Sequence, residues 1–142
     1  MMSVSNIVKQ LWNKRIDRKL GFEQVLKKVT LTHAADGVCL AEMTVDPEHT
    51  NSEGTLHGGL TSTLVDTISG MALATKTKDG SIGVSVDLHV TFLKGVQLGE
   101  KILIEAKTNK CGKTLAFLDV NIIHEATGDL VAKGSHTKFI KN

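Results

Sequence analysis

The chain has 142 residues, 17 Lys plus Arg against 15 Asp plus Glu, and 41% apolar residues, the size of one compact domain with no room for a second. One Pro, 23% charged residues and a net charge of +2 exclude a disordered chain and give no concentrated basic face for nucleic acid. Cys39 and Cys111 lie far apart with no Cys or His at ligand spacing, which excludes a disulfide scaffold or a zinc ribbon.

From Ser3 to about Lys19, Val4, Ile7, Val8, Leu11 and Trp12 recur at helical spacing, with Lys9, Lys14, Arg15, Arg18 and Lys19 elsewhere. This predicts an amphipathic helix with a basic face, taken as residues 1–21 ahead of a domain at 22–142. Docking on that domain is favoured over a mitochondrial or membrane-surface segment, because Asp17 and Glu23 interrupt the acid-poor pattern of targeting peptides. No apolar run approaches the roughly 18 residues of a membrane span. The expectation is a soluble cytoplasmic protein without stable membrane insertion, with mitochondria as the alternative location.

Val25 to Thr32 and Val38 to Val45 read as a hairpin turning at Ala34-Ala35-Asp36-Gly37, where Asp-Gly is the turn signal. Four more strands are predicted at about Gly83 to Leu93, Lys101 to Lys110, Thr114 to His124 and Leu130 to Ile140. Their breaks are short and contain Gly, which predicts neighbouring antiparallel strands. Between the two groups, Leu60, Leu64, Val65, Ile68, Met71 and Ala72 follow a helical repeat over Gly58 to about Lys76, and the other faces carry small residues. A helix apolar or small on every side is enclosed by protein, so the fold class is α+β: one long central helix wrapped by a single antiparallel sheet, plus the N-terminal helix.

Asp66 is the one charged side chain in that helix before Lys76. Burial would make it costly and raise its pKa toward a general base's range; the alternative is a helix Asp reaching solvent or a neighbouring subunit. Asn51-Ser52-Glu53-Gly54-Thr55-Leu56-His57-Gly58-Gly59 leads into the helix. Free N–H groups and the positive end of the helix dipole converge there, suiting an anion or a developing oxyanion; plain capping is the alternative. Gly58 and Asp66 are eight residues apart, roughly 12 Å along a helix axis, too far to act on one water. If both serve one reaction, Gly58 of one subunit must meet Asp66 of another, which calls for a dimer with two symmetric sites.

His57-Gly58-Gly59-Leu60 followed by Asp66, with Asn51 six residues before the His and Gly83-Val84-Ser85-Val86-Asp87 on the next strand, resembles the hotdog-fold thioesterases. The likeness runs from about Phe22 to Lys138. It implies hydrolysis of medium- to long-chain fatty acyl-coenzyme A by a homodimer or homotetramer, without metal or other cofactor. Gly58 would offer its N–H to the thioester carbonyl with Asn51 beside it; Asp66 of the facing subunit would activate water, and Ser85 would help hold it. His57 would orient the site or assist the departing thiol. Coenzyme A would lie along Phe92-Leu93-Lys94-Gly95-Val96-Gln97 and Lys110-Cys111-Gly112-Lys113-Thr114-Leu115. Without the family, Ser85 falls on the more polar face of its strand by period-two alternation, and the lysines read as solvated.

Other catalytic patterns are missing from the sequence: there is no Gly-x-Ser-x-Gly elbow, phosphate loop or dinucleotide fingerprint. The six histidines never reach metal spacing, and each reads as a surface or core residue. Two rival functions stay open: a hotdog acyl-thioester dehydratase or hydratase using His57 and Asp66 as an acid–base pair, and a non-catalytic carrier of acyl-coenzyme A or lipid.

Overall fold

The β1–β2 hairpin turns where the Asp-Gly pair demands. Asp36 and Gly37 take φ of 52° and 80°, the left-handed conformation both positions of a two-residue type I′ turn require, and Ala35 faces Val38 across it. The computed structural model describes residues 1–141. Six strands, β1 (Thr30–Ala35), β2 (Val38–Thr44), β3 (Val84–Phe92), β4 (Lys101–Cys111), β5 (Leu115–His124) and β6 (Leu130–Phe139), form one antiparallel sheet in the order β1-β2-β4-β5-β6-β3. The sheet wraps helix α2 (Gly58–Ala74), and helix α1 (Asn6–Asp17) docks outside it. This is the hotdog fold.

The first strand begins later than its sequence suggests. Phe22–Leu26 is a 3-10 turn, because the Gln24 side-chain amide donates to the carbonyls of Arg15 and Ile16 at 3.1 Å each. Those carbonyls end α1 and have no partner within it, so the turn is pulled back onto the helix, and Ala34 and Ala35 extend β1 instead. Helix α1 buries Val8 and Trp12, so its apolar stripe docks on the domain.

A second correction concerns strand order. The short connection from β3 to β4 predicts neighbours, yet β3 pairs with β6 at one edge while β4 lies between β2 and β5. Curling around α2 shortens the crossing. The connection passes over the entrance to α2, where the Leu56 amide donates to the Val96 carbonyl and the Gly99 amide to that of Val45.

Leu60, Leu64, Ile68 and Met71 of α2 are buried, as are Ile102, Ile104, Leu118 and Ile122 of β4 and β5. Apolar area removed from water, worth about 25 cal/mol per Å², holds helix to sheet. At Gly134 on β6 the approach is so close that a Cβ would lie 2.4 Å from Val65 Cγ1, so only glycine fits.

The two edges of the sheet differ. At β1 the chain covers its own edge: Ala34 donates to the Ser3 carbonyl at 2.8 Å and accepts from the Ser5 amide at 2.9 Å. At β3 nothing among the described residues covers the edge, and Val84, Val86 and Phe92 are each more than half exposed.

Strand β3 also carries a bulge. Ser85 faces Lys138 and Asp87 faces Thr137, leaving Val86 as the extra residue. Cross-strand partners share a face. Ser85 therefore lies on the inner face with Leu88, Val90 and Phe92, and not with Asp87, His89 and Thr91.

Candidate active site

Two groups of side chains gather at opposite ends of β3. The first surrounds Asp66. His136, almost wholly buried on β6, is held between two hydroxyls, with Nδ1 2.8 Å from Ser69 Oγ and Nε2 2.7 Å from Ser85 Oγ. Asp66 Oδ1 lies 3.8 Å from the same Nε2. Ser69 Oγ is also 3.0 Å from the Asp66 carbonyl oxygen. With its single hydrogen spent on that carbonyl, Ser69 accepts from Nδ1–H, and Nε2 accepts from the Ser85 hydroxyl. Burial, then the nearby Lys138 ammonium, pushes the His136 pKa below its ordinary value, against the opposing pull of Asp66 and Asp87. A neutral ring is consistent with this chain of bonds.

The side chain of Asp66 is 49% exposed. Of the two readings the sequence leaves open, an enclosed carboxylate and one reaching solvent or a neighbouring subunit, the second describes this flank of Asp66, which is open together with Gly59, Ser62, Thr63 and Thr67 on the same strip of α2. Its own chain brings His136 to 3.8 Å from Oδ1 and, among the described residues, leaves that flank uncovered.

The second group surrounds the start of α2. His57 is the N-cap, and its Nδ1 accepts from the Gly59 amide at 2.8 Å, so the neutral ring carries its proton on Nε2. The Gly58 amide opens the helix and is free of the cap. A Cβ on Gly58 would stand 3.3 Å from the Phe92 ring. Leu56, Gly58, Thr61, Phe92, Lys94 and Gly95 line one cavity of about 350 Å³, so the helix start and part of the segment expected to hold coenzyme A share a space. Asn51 organises the approach: Oδ1 accepts from the Glu53 and Thr55 amides at 2.9 and 3.2 Å, and Nδ2 donates to Thr55 Oγ1 at 2.9 Å.

Within one chain the two groups do not meet. Ser85 and Phe92 are seven residues apart on β3, roughly 20 Å at a strand's rise. The two expected coenzyme A segments are equally separated. Leu115 pairs with Phe139, which pairs with Val84, whereas Phe92 pairs with Ala132 beside Ile122. The turn from Lys110 to Leu115 therefore sits at the Ser85 end, with Lys110, Lys113, Thr114 and Leu115 exposed and Cys111 and Gly112 half-buried. At the other end Lys94 is ion-paired with Asp129, Leu93 and Gln97 are exposed, and Val96 is fully buried.

Sequence reasoning missed His136, Ser69 and Lys138. Ala132, Gly134, His136 and Lys138 form the inner face of β6 and Lys133, Ser135, Thr137 and Phe139 the outer, so neither face reads as plainly apolar. The signal lay in pairing: two ionisable residues two apart, opposite a glycine-punctuated helix.

The sequence pattern of the thioesterase superfamily matches residues 53–131. Human acyl-coenzyme A thioesterase 13 is 52% identical over 129 residues, 91% of each chain. The crystal structure of zebra fish thioesterase superfamily member 2 superposes with a TM-score of 0.88 at 45% identity, covering 98% of this chain and 99% of that one. A Streptococcus pneumoniae thioesterase protein crystallised with coenzyme A has a TM-score of 0.72 at 28% identity, covering 78% and 86%. Together with the six-stranded sheet around α2, these likenesses show that the chain belongs to the thioesterase superfamily.

Proposed function

We propose that this chain hydrolyses medium- to long-chain fatty acyl-coenzyme A to free fatty acid and coenzyme A, at sites completed by two copies. The observation that carries the reading is the split along β3: a carboxylate with a hydroxyl–imidazole chain at one end, a free helix amide with a cavity at the other, and an open edge between. Antiparallel pairing of two β3 edges about His89, with Val86 again the extra residue, would lay Leu88 of one copy opposite Val90 of the other and Ser85 opposite Phe92. Asp66, Ser85 and His136 would then meet Gly58, His57 and Asn51 across the interface. The Lys110–Leu115 turn would reach the other copy's Phe92–Gln97 segment, where Lys110 and Lys113 suit phosphates.

The thioester carbonyl oxygen accepts from the Gly58 amide. Asp66 takes a proton as water attacks the carbonyl carbon, with Ser85 Oγ accepting the water's other hydrogen. The oxyanion collapses, the C–S bond breaks, and the thiolate leaves while accepting a hydrogen bond from His57 Nε2–H; the proton held by Asp66 passes to solvent or to the departing thiolate, which restores the carboxylate. A thiolate is a stable leaving group, so water is the only co-reactant, and no Ser or Cys nucleophile is called for. An attack by Asp66 itself would pass through an anhydride and give the same products. The N-terminal residues 1–21 serve as an arm on the catalytic domain at 22–142.

No helix among the described residues is long and apolar enough to cross a membrane; the cytoplasm is the compartment we propose, with mitochondria the alternative raised by the basic helix.

Measuring free thiol released from acyl-coenzyme A substrates of increasing chain length tests the reading. The expected result is turnover that rises toward the longer chains and falls about 10³-fold in Asp66→Asn, the scale of a lost general base. Reversible water addition with the thioester intact would instead identify a hydratase, and tight binding with no chemistry a carrier.

A further inference from the structure

One charged group beside Asp66 has no part in those steps. Lys138 lies on the inner face of β6, opposite Ser85, and is 3% exposed. Its Nζ stands 3.8 Å from where a Cβ on Gly70 would be. Gly70 is one helical turn beyond Asp66, on the same face of α2, so the ammonium lies along the helix on the carboxylate's side. Among the described residues none gives Lys138 a hydrogen bond or a close ion pair.

Burying an ammonium is costly unless an opposite charge answers it, and an apolar side chain of similar size usually serves a core better. The carboxylates near it are two. Lys138, Asp66, Arg15 and Glu23 line one cavity of about 60 Å³, space for a few bridging waters. Glu23 is already paired with Arg15 at 3.7 Å, which leaves Asp66. We propose that Lys138 is a positioning residue for the hydrolysis: its ammonium, across this cavity from Asp66, keeps that carboxylate charged and turned toward His136 and Ser85. The inference rests on the reading of Asp66 as the group that handles water.

The charged and titratable groups around the pair are His136 from β6, Asp87 from β3, Arg15 from α1 and Glu23 from the 3-10 turn. Arg15 repels the ammonium and is answered by Glu23, while Asp87 acts on His136. Burial pushes the Lys138 pKa down, with Asp66 opposing. A second copy covering the open flank of Asp66 would exclude water and strengthen the attraction.

Lys138→Met and Lys138→Arg, measured as pH profiles of kcat and KM beside thermal unfolding, test this. Lys138→Met is expected to unfold no earlier than the native chain. Its kcat should drop about tenfold with KM within twofold, and the acid limb of its profile should move to higher pH; Lys138→Arg should recover most of the rate and restore the limb. A purely structural lysine would leave the limb in place, and that result in folded Lys138→Met overturns the proposal. Should Lys138→Met fail to fold, Lys138→Gln carries the same comparison with the same deciding limb. Turnover that survives Asp66→Asn overturns the proposed function and this inference together. Loss of turnover in Asp66→Asn with an unmoved limb at Lys138 overturns this inference alone.

Discussion

The sheet ends in two edges that the chain treats differently. At β1, residues Ser3–Ser5 take up the backbone groups of Ala34, so that side is finished by the chain's own N-terminus. At β3, none of the described residues takes up the outer backbone groups, and apolar side chains stand in the open. Uncovered edges invite pairing with another strand, and natural sheets blunt them unless pairing is their purpose. The contrast supports the proposed pairing of β3 with a second copy. In that reading each end of β3 carries half of a reaction centre, whereas the β1 side carries none.

The most damaging change to that comparison is Leu88→Lys. Leu88 sits near the middle of β3 and is 38% exposed; a lysine there would meet Val90 of the other copy and bring two like charges close to the two-fold axis. Light scattering should show monomers, and activity should fall about 10⁴-fold, since base and oxyanion donor are lost to each other at once. An active monomer would end the idea of a shared centre.

A gentler test keeps the dimer and separates its contributions. Asp66→Asn and Gly58→Val subunits should each be inactive as pure dimers, the valine because its side chain meets the Phe92 ring. After subunit exchange at equal amounts, half the dimers are hybrids with one intact centre of two. Activity should then return to about a quarter of the native level. No recovery despite verified exchange would mean that each centre is built within one chain.

The smallest effect expected is in stability. The His136 pKa in the folded chain lies below the ordinary 6.5, so the unfolded chain binds a proton first as pH falls. The stability contributed by the neutral buried ring is present above pH 6.5 and is lost as acid drives the pH down through the folded value. Thermal midpoints should decline from pH 6.5 toward 5, and the slope should flatten in His136→Gln. Equal slopes would remove His136 from the buried network. The carboxylates whose pKa values are lowered by ion pairs, such as Asp46 and Asp129, act at lower pH and do not obscure this window.

Much of this was readable from residue patterns, and the failures have physical causes. The enclosed helix, the Asp-Gly turn and the distance between Gly58 and Asp66 followed from periodicity and rise, which are local. Strand order did not follow, because a curled sheet lets a short connection join strands that are not neighbours. The turn at Phe22–Leu26 was missed because Gln24 reaches back to carbonyls of α1, a tertiary bond invisible to alternation. His136 and Lys138 stayed hidden because β6 is mixed on both faces, and their meaning comes from what packs opposite.

The extra residue at Val86 also limits what this strand tolerates. Plain alternation through Val86 would turn the Ser85 hydroxyl outward; the bulge absorbs that residue and keeps Ser85 opposite Lys138. Deleting Val86 would leave the hydroxyl facing inward yet straighten the strand and remove its added local twist, separating the residue count that aims a side chain from the bend that shapes an edge.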